Sequence, residues 1–85
     1  MLRNYLIQCR SLTYAQRAKR VLERAGLFAG LARVPQEMSR EGCGHAVRIR
    51  PRDLERALSL LETAGIERRK ILAVAEDGRV EEVRP

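Results

Sequence analysis

Apolar and polar residues follow two rhythms along this chain, and the switches between them mark its elements. The segment "NYLIQC", Asn4 to Cys9, is short and rich in β-formers and predicts a strand. From about Tyr14 to Ala25 the spacing changes to three and four. Ala15, Ala18, Val21, Leu22 and Ala25 then share one face of a helix, with Arg17, Lys19, Arg20, Glu23 and Arg24 largely off it. Ser11 or Thr13 supplies the N-cap, and Gly26 stands where a left-handed C-cap is needed. "LFAGLARVP" reads as a second strand closed by Pro35, and residues 36–44, "QEMSREGCG", read as a loop. In "HAVRIR", Val47 and Ile49 alternate with Arg48 and Arg50, the period of a third strand.

Pro51 opens the second helix. Its apolar set is Leu54, Ala57, Leu58 and Leu61, with Leu60 and Ala64 beside them, and Gly65 caps it as Gly26 caps the first. "KILAVA" is a fourth strand. Asp77-Gly78 is a strong hairpin signal, so "VEEV" folds back as a short fifth strand at the edge. "VLERAGL" at 21–27 echoes "LLETAGI" at 60–66, so strand, helix and strand occur twice. This order predicts an α+β, ferredoxin-like βαββαβ sandwich. Its antiparallel sheet has the order 4-1-3-2, both helices lie on one face, and residues 76–85 form a C-terminal extension or hairpin. One domain spans residues 1–85, with no linker in the composition.

Composition adjusts this picture in three ways. Aromatic residues make up 4% of the chain and there is no Trp, so the core is built from Leu, Val, Ile and Ala. The net charge of +6 admits an anionic partner. The arginines are dispersed among acids, however, and the longest basic run is Arg68-Arg69-Lys70. Two cysteines, Cys9 and Cys43, are too few for a disulfide scaffold and lack the paired spacing of a metal site. No metal or cofactor is expected. No transmembrane stretch or signal peptide is expected either, so the default compartment is a reducing cytoplasm.

The predicted topology makes "REGCGHAVRIRP", residues 40–51, the most informative stretch. Strands one and three are antiparallel neighbours, so Cys9, ending the first, and Cys43, preceding the third, fall at one end of the sheet. The first helix starts at that same end. A helix N-terminus carries unpaired N–H groups and favours anions, including a thiolate. Ser11 and Thr13 add hydroxyls. Gly42 and Gly44 allow close backbone approach, and Arg40 adds positive charge. His45 is either a base beside Cys43 or a packing residue at a strand end. Cys9 is either a second thiol or a small buried hydrophobe. No Cys-His-Asp spacing and no paired carboxylates suggest enzymatic acid–base chemistry, so the chain is read as non-enzymatic.

Four pieces together resemble a known family: "SLTYA" at 11–15, "RVPQEMS" at 33–39, "CGHAVRI" at 43–49 and the second helix through Ile66. They are similar to the small bacterial domains described as putative selenium/sulfur carrier protein-like, over about residues 4–75. The resemblance implies that Cys43 holds selenium or sulfur as a perselenide or persulfide. Gly44, Pro35 and Ser39 inherit the motif setting, and donor and acceptor proteins are the partners. The basic first helix, the "RE" at 40–41 and the tail after Glu76 depart from the pattern. Two other classes compete with this one. An interaction or regulatory module would form a homodimer through its open face, where Leu6, Phe28 and Leu31 are candidates, or through edge strands. A nucleic-acid binder would use Arg48 and Arg50, but it would also need aromatics on the central strands, and only Tyr5 is offered there.

Overall fold

The two rhythms fold into two helices and one five-stranded antiparallel sheet. The computed structural model describes residues 1–39 and 44–83. The strands are β1 (Leu2–Cys9), β2 (Ala29–Arg33), β3 (His45–Ile49), β4 (Arg68–Ala75) and β5 (Val80–Val83). The helices are α1 (Leu12–Arg24) and α2 (Leu54–Thr63). Single 3₁₀ turns at Gln36–Met38 and Pro51–Asp53 lie in the connections. Sheet order is β2-β3-β1-β4-β5, with every neighbouring pair antiparallel. Strands β4, β1, β3 and β2 thus stand side by side, and β5 is added outside β4.

Each helix is fixed by its apolar stripe and its ends. Ala15, Ala18 and Leu22 of α1 are fully buried, as is Ala57 of α2, and Leu61 is nearly so. They pack against Ile7, Cys9, Val47 and Ile49, which alternate along β1 and β3. The small alanines let α1 lie close to the sheet. Gly26 and Gly65 follow the helices at φ +86° and +73°, a conformation that costs an L side chain about 1–2 kcal/mol. At the start of α1, Ser11 has extended backbone, and its Oγ accepts a hydrogen bond from the Tyr14 N–H at 3.3 Å. Ser11→Ala is expected to lower stability by about 1 kcal/mol. Thr13→Ala, with Thr13 exposed inside the first turn, changes it by less. Urea denaturation of the two variants measures the difference.

The sheet face away from the helices has its own small core. Leu6, Val34, Ala46 and Leu72 are buried there, with Ala32, Met38, Val74 and Val80 packed around them. Leu6, expected to be exposed on this face, is only 6% accessible. Two features account for this correction. The chain after β2 turns back through Gln36–Met38 and lays Met38 over the sheet. Strand β5 brings Val80 to the opposite flank. Arg48 leans the other way, over Gly30 of β2, with its Nη2 2.8 Å from where a Cβ would stand. The β4–β5 hairpin turns at Asp77-Gly78, where Asp77 Oδ1 accepts from the Arg79 N–H at 2.9 Å.

Several element ends differ from the sequence reading. Strand β1 begins at Leu2 rather than Asn4, and β4 at Arg68 rather than Lys70, because each gains pairing partners only visible in the sheet. Strand β2 is shorter than "LFAGLARVP" because it pairs with β3 only from Ala29 to Arg33.

Candidate functional site

Five of the described elements meet at one end of the sheet. Strand β1 runs out at Cys9 and β2 at Arg33, α1 starts at Leu12, β3 enters at His45 and β4 enters at Arg68. Register fixes the juxtaposition: Gln8 is opposite Ala46, and Cys9 is opposite Arg68. Continued one step past His45, the β1–β3 register sets Gly44 level with Arg10, just ahead of the α1 N-cap. Gly44 is held there by its carbonyl, which accepts from the Val34 N–H at 2.8 Å. Tyr14, in the first turn of α1, is flanked by the guanidinium groups of Arg10 and Arg17, 5.7 and 5.4 Å from the ring centre. The end of the sheet beside Gly44 is therefore electropositive through both a helix N-terminus and arginine.

Cys43 and Arg40 lie outside the described residues; Gly44 is the described residue next to Cys43 in sequence. Cys9 is fully buried between the sheet and α1. Its Sγ donates to the Ile7 carbonyl at 3.5 Å. Burial withholds this sulfur from donors in solution. His45 opens β3 opposite Arg33, half-buried, and by alternation shares the helix-side face with Val47 and Ile49. Ser11 Oγ is engaged in the helix cap, while Thr13 is exposed on α1. The structure thus brings Gly44, Ser11 and Thr13 to one end of the fold and commits Cys9 to the interior. Among the described residues, no cluster of His, Cys, Asp and Glu could hold a metal ion.

Sequence reasoning missed one feature of this end. Between the pairs Ile7–Ile71 and Cys9–Arg68, β1 advances two residues while β4 advances three. Strand β4 therefore carries a bulge, with Arg69 and Lys70 together opposite Gln8. Strict alternation would send Arg69 and Lys70 to opposite faces. The bulge re-aims one of them, and both line a cavity of about 330 Å³ together with Gln8, Met38 and Arg68. Beyond the bulge, Arg68 takes the parity of Cys9. It also lines a broader groove of about 630 Å³ on the helix side, with Leu58, Leu61, Glu62, Gly65, Ile66 and Glu67. The basic run at 68–70 was visible in the sequence, but its distribution over the two faces was not.

At the other end of the helix-free face, Arg3, Asn4, Phe28, Arg48, Ile49 and Arg50 surround a smaller cavity of about 120 Å³. Arg50 stacks on Phe28, 5.0 Å from the ring centre. Tyr5, the one aromatic of the central strands, packs instead against the helix-side core. The helix-free face therefore lacks the stacking platform on its central strands that sequence-specific RNA binding uses.

The fold and site define a small α+β chain in which Gly44 leads into β3 at a basic sheet end. Residues 4–73 match the family described as "Putative Se/S carrier protein-like", and the chain belongs to that family. No curated protein and no solved structure matches it. No helix among the described residues is long and apolar enough to cross a membrane.

Proposed function

We propose that this protein is a cytoplasmic, non-enzymatic carrier that holds sulfur or selenium on Cys43 and passes it to an acceptor protein. The four strands β4, β1, β3 and β2 with two helices on one face are read as a ferredoxin-like frame. One observation carries the proposal: Gly44, the sequence neighbour of Cys43, stands at the sheet end where α1 begins. Free N–H groups and the partial positive charge of a helix start favour a thiolate and an anionic adduct. Membership of a family described as Se/S carrier protein-like supports the carrier role.

The chemistry is a single displacement. The Cys43 thiolate attacks the terminal sulfur of a donor persulfide, R–S–SH. A new S–S bond forms to Cys43, the donor S–S bond breaks, and R–S⁻ leaves. Cys43–S–SH then loses its proton to become the anionic cargo, and the selenium case is analogous. The acceptor reverses the exchange, so the protein returns unchanged and needs no cofactor. Arg10, level with Gly44 in the β1–β3 register, and Arg40, close to Cys43 in sequence, are the proposed cations, and Ser11, Thr13 and His45 complete the proposed surroundings. The test is intact mass after incubation with a persulfide-generating system, followed by peptide mapping. Addition of one sulfur to the peptide containing Cys43 supports the reading; an unmodified protein overturns it.

A second reading has one observation in its favour. Strand β2 is an open sheet edge, with Leu31 41% and Phe28 57% accessible, and edge strands invite pairing with a second copy. A homodimer mass in sedimentation at micromolar concentration would support an interaction module; a monomer mass would remove it.

A further inference from the structure

The bulge cavity carries more than the carrier reading uses. Its wall combines Arg69 and Lys70, placed side by side by the β4 bulge, with Gln8, Met38 and Arg68. Gln8 is only 2% accessible, the one buried polar or charged side chain among the described residues. Neither Arg68 nor Arg69 makes an ion pair among the described residues. Lys70 faces Glu82 of β5, with Nζ and Oε1 4.0 Å apart. That long contact leaves the ammonium available to a better partner while fixing its direction. Among the described residues, three cations against one carboxylate leave the cavity with an excess of positive charge. Its volume of about 330 Å³ sits near the lower end for small-molecule sites, about 300 Å³.

A basic strand segment on an ordinary surface is usually dispersed by alternation. Here a backbone irregularity gathers two consecutive cations on one side, next to a buried amide, at the sheet end shared with Gly44. Arginine and lysine in this arrangement suit a compact oxyanion, which accepts several charge-assisted hydrogen bonds.

We propose that the cavity of Gln8, Met38, Arg68, Arg69 and Lys70 binds a small oxyanion and receives the charged end of a low-molecular-weight sulfur donor of the thiosulfate type. As an anion site it stands alone; as a donor site it rests on the carrier reading. In the transfer step the Cys43 thiolate attacks the outer sulfur of thiosulfate. The bond between that sulfur and the sulfonate breaks, and its electron pair leaves with sulfite. Cys43–S–S⁻ remains, and the total charge of minus three is the same on both sides.

The experiment has two arms, both on the full chain. First, amide chemical shifts are followed during titration with sulfate and with thiosulfate at constant ionic strength, for wild type, Cys43→Ala and the Arg69→Gln/Lys70→Gln double variant. Saturable shifts centred on Gln8 and residues 68–70 are expected for wild type and Cys43→Ala. Affinity should fall by tenfold or more in the double variant, the scale of one to two hydrogen bonds to a charged group. Non-saturating shifts spread equally over the arginines of α1, or an unchanged double variant, overturn the site. Second, loading of Cys43 is compared for thiosulfate and a persulfide that carries no oxyanion group. The double variant should load at least tenfold more slowly from thiosulfate and at the wild-type rate from the persulfide. Equal rates from thiosulfate overturn the donor assignment. Sulfate binding without loading from any donor defeats the carrier reading and leaves the anion site standing. Loading from the persulfide without anion binding does the reverse.

Discussion

A Cys43→Ala variant takes up no sulfur or selenium from a persulfide-generating system, while Cys9→Ala is loaded as wild type is. The contrast follows from position. Cys9 is fully enclosed between β1 and α1 and packed with Ala15 and Ala18, where a thiol behaves as a small hydrophobe. Removing its sulfur trims the core by one atom, an effect of about 1 kcal/mol, and leaves the surface chemistry intact. Cys43 precedes Gly44, the residue level with the start of α1, and the proposed adduct depends on that environment. Mass measurement of both variants, with circular dichroism to confirm folding, decides the matter. Loading that follows Cys9 instead of Cys43 would end the proposal.

Leu22→Ala is expected to be the most destabilising of the simple truncations, by about 3 kcal/mol. Leu22 is fully buried in the helix-side core, and a close-packed interior of small alanines has little slack with which to refill the space. In a domain of this size such a loss lowers Tm by roughly 15 °C. It is a large fraction of a total stability of about 5–15 kcal/mol. Leu12→Ala provides the comparison on the same helix. Leu12 is 41% accessible, and its truncation should cost less than about 1 kcal/mol. Thermal unfolding of the two variants tests the packing directly; equal losses would contradict it.

Much of the fold was legible because local patterns and tertiary needs agree. The stripe Ala15, Ala18 and Leu22 is the stripe that is buried, and Val47 and Ile49 lie on one side of β3 as their alternation requires. Gly26 and Gly65 adopt the positive φ that a helix end asks for. Asp77-Gly78 turns β4 into β5 as a hairpin dipeptide should. These are short-range properties, settled within a few residues.

The candidate site was less legible. Of "REGCGHAVRIRP", residues 40–43 lie outside the described residues, and Gly44 and His45 lead into β3 beside the end of β1. Ser11 resolved as the cap of α1 and Cys9 as core, alternatives between which a single strand end cannot choose.

By itself, then, the sequence determined the element types, the helix faces and the family, because periodicity, capping residues and turn dipeptides act locally. Only the tertiary structure decided which side Tyr5 takes, how Met38 and Val80 enclose Leu6, and that Arg69 and Lys70 share one wall. Each of these depends on a register between strands distant in the chain. A bulge belongs to the pairing of two strands, and neither strand carries its signature alone.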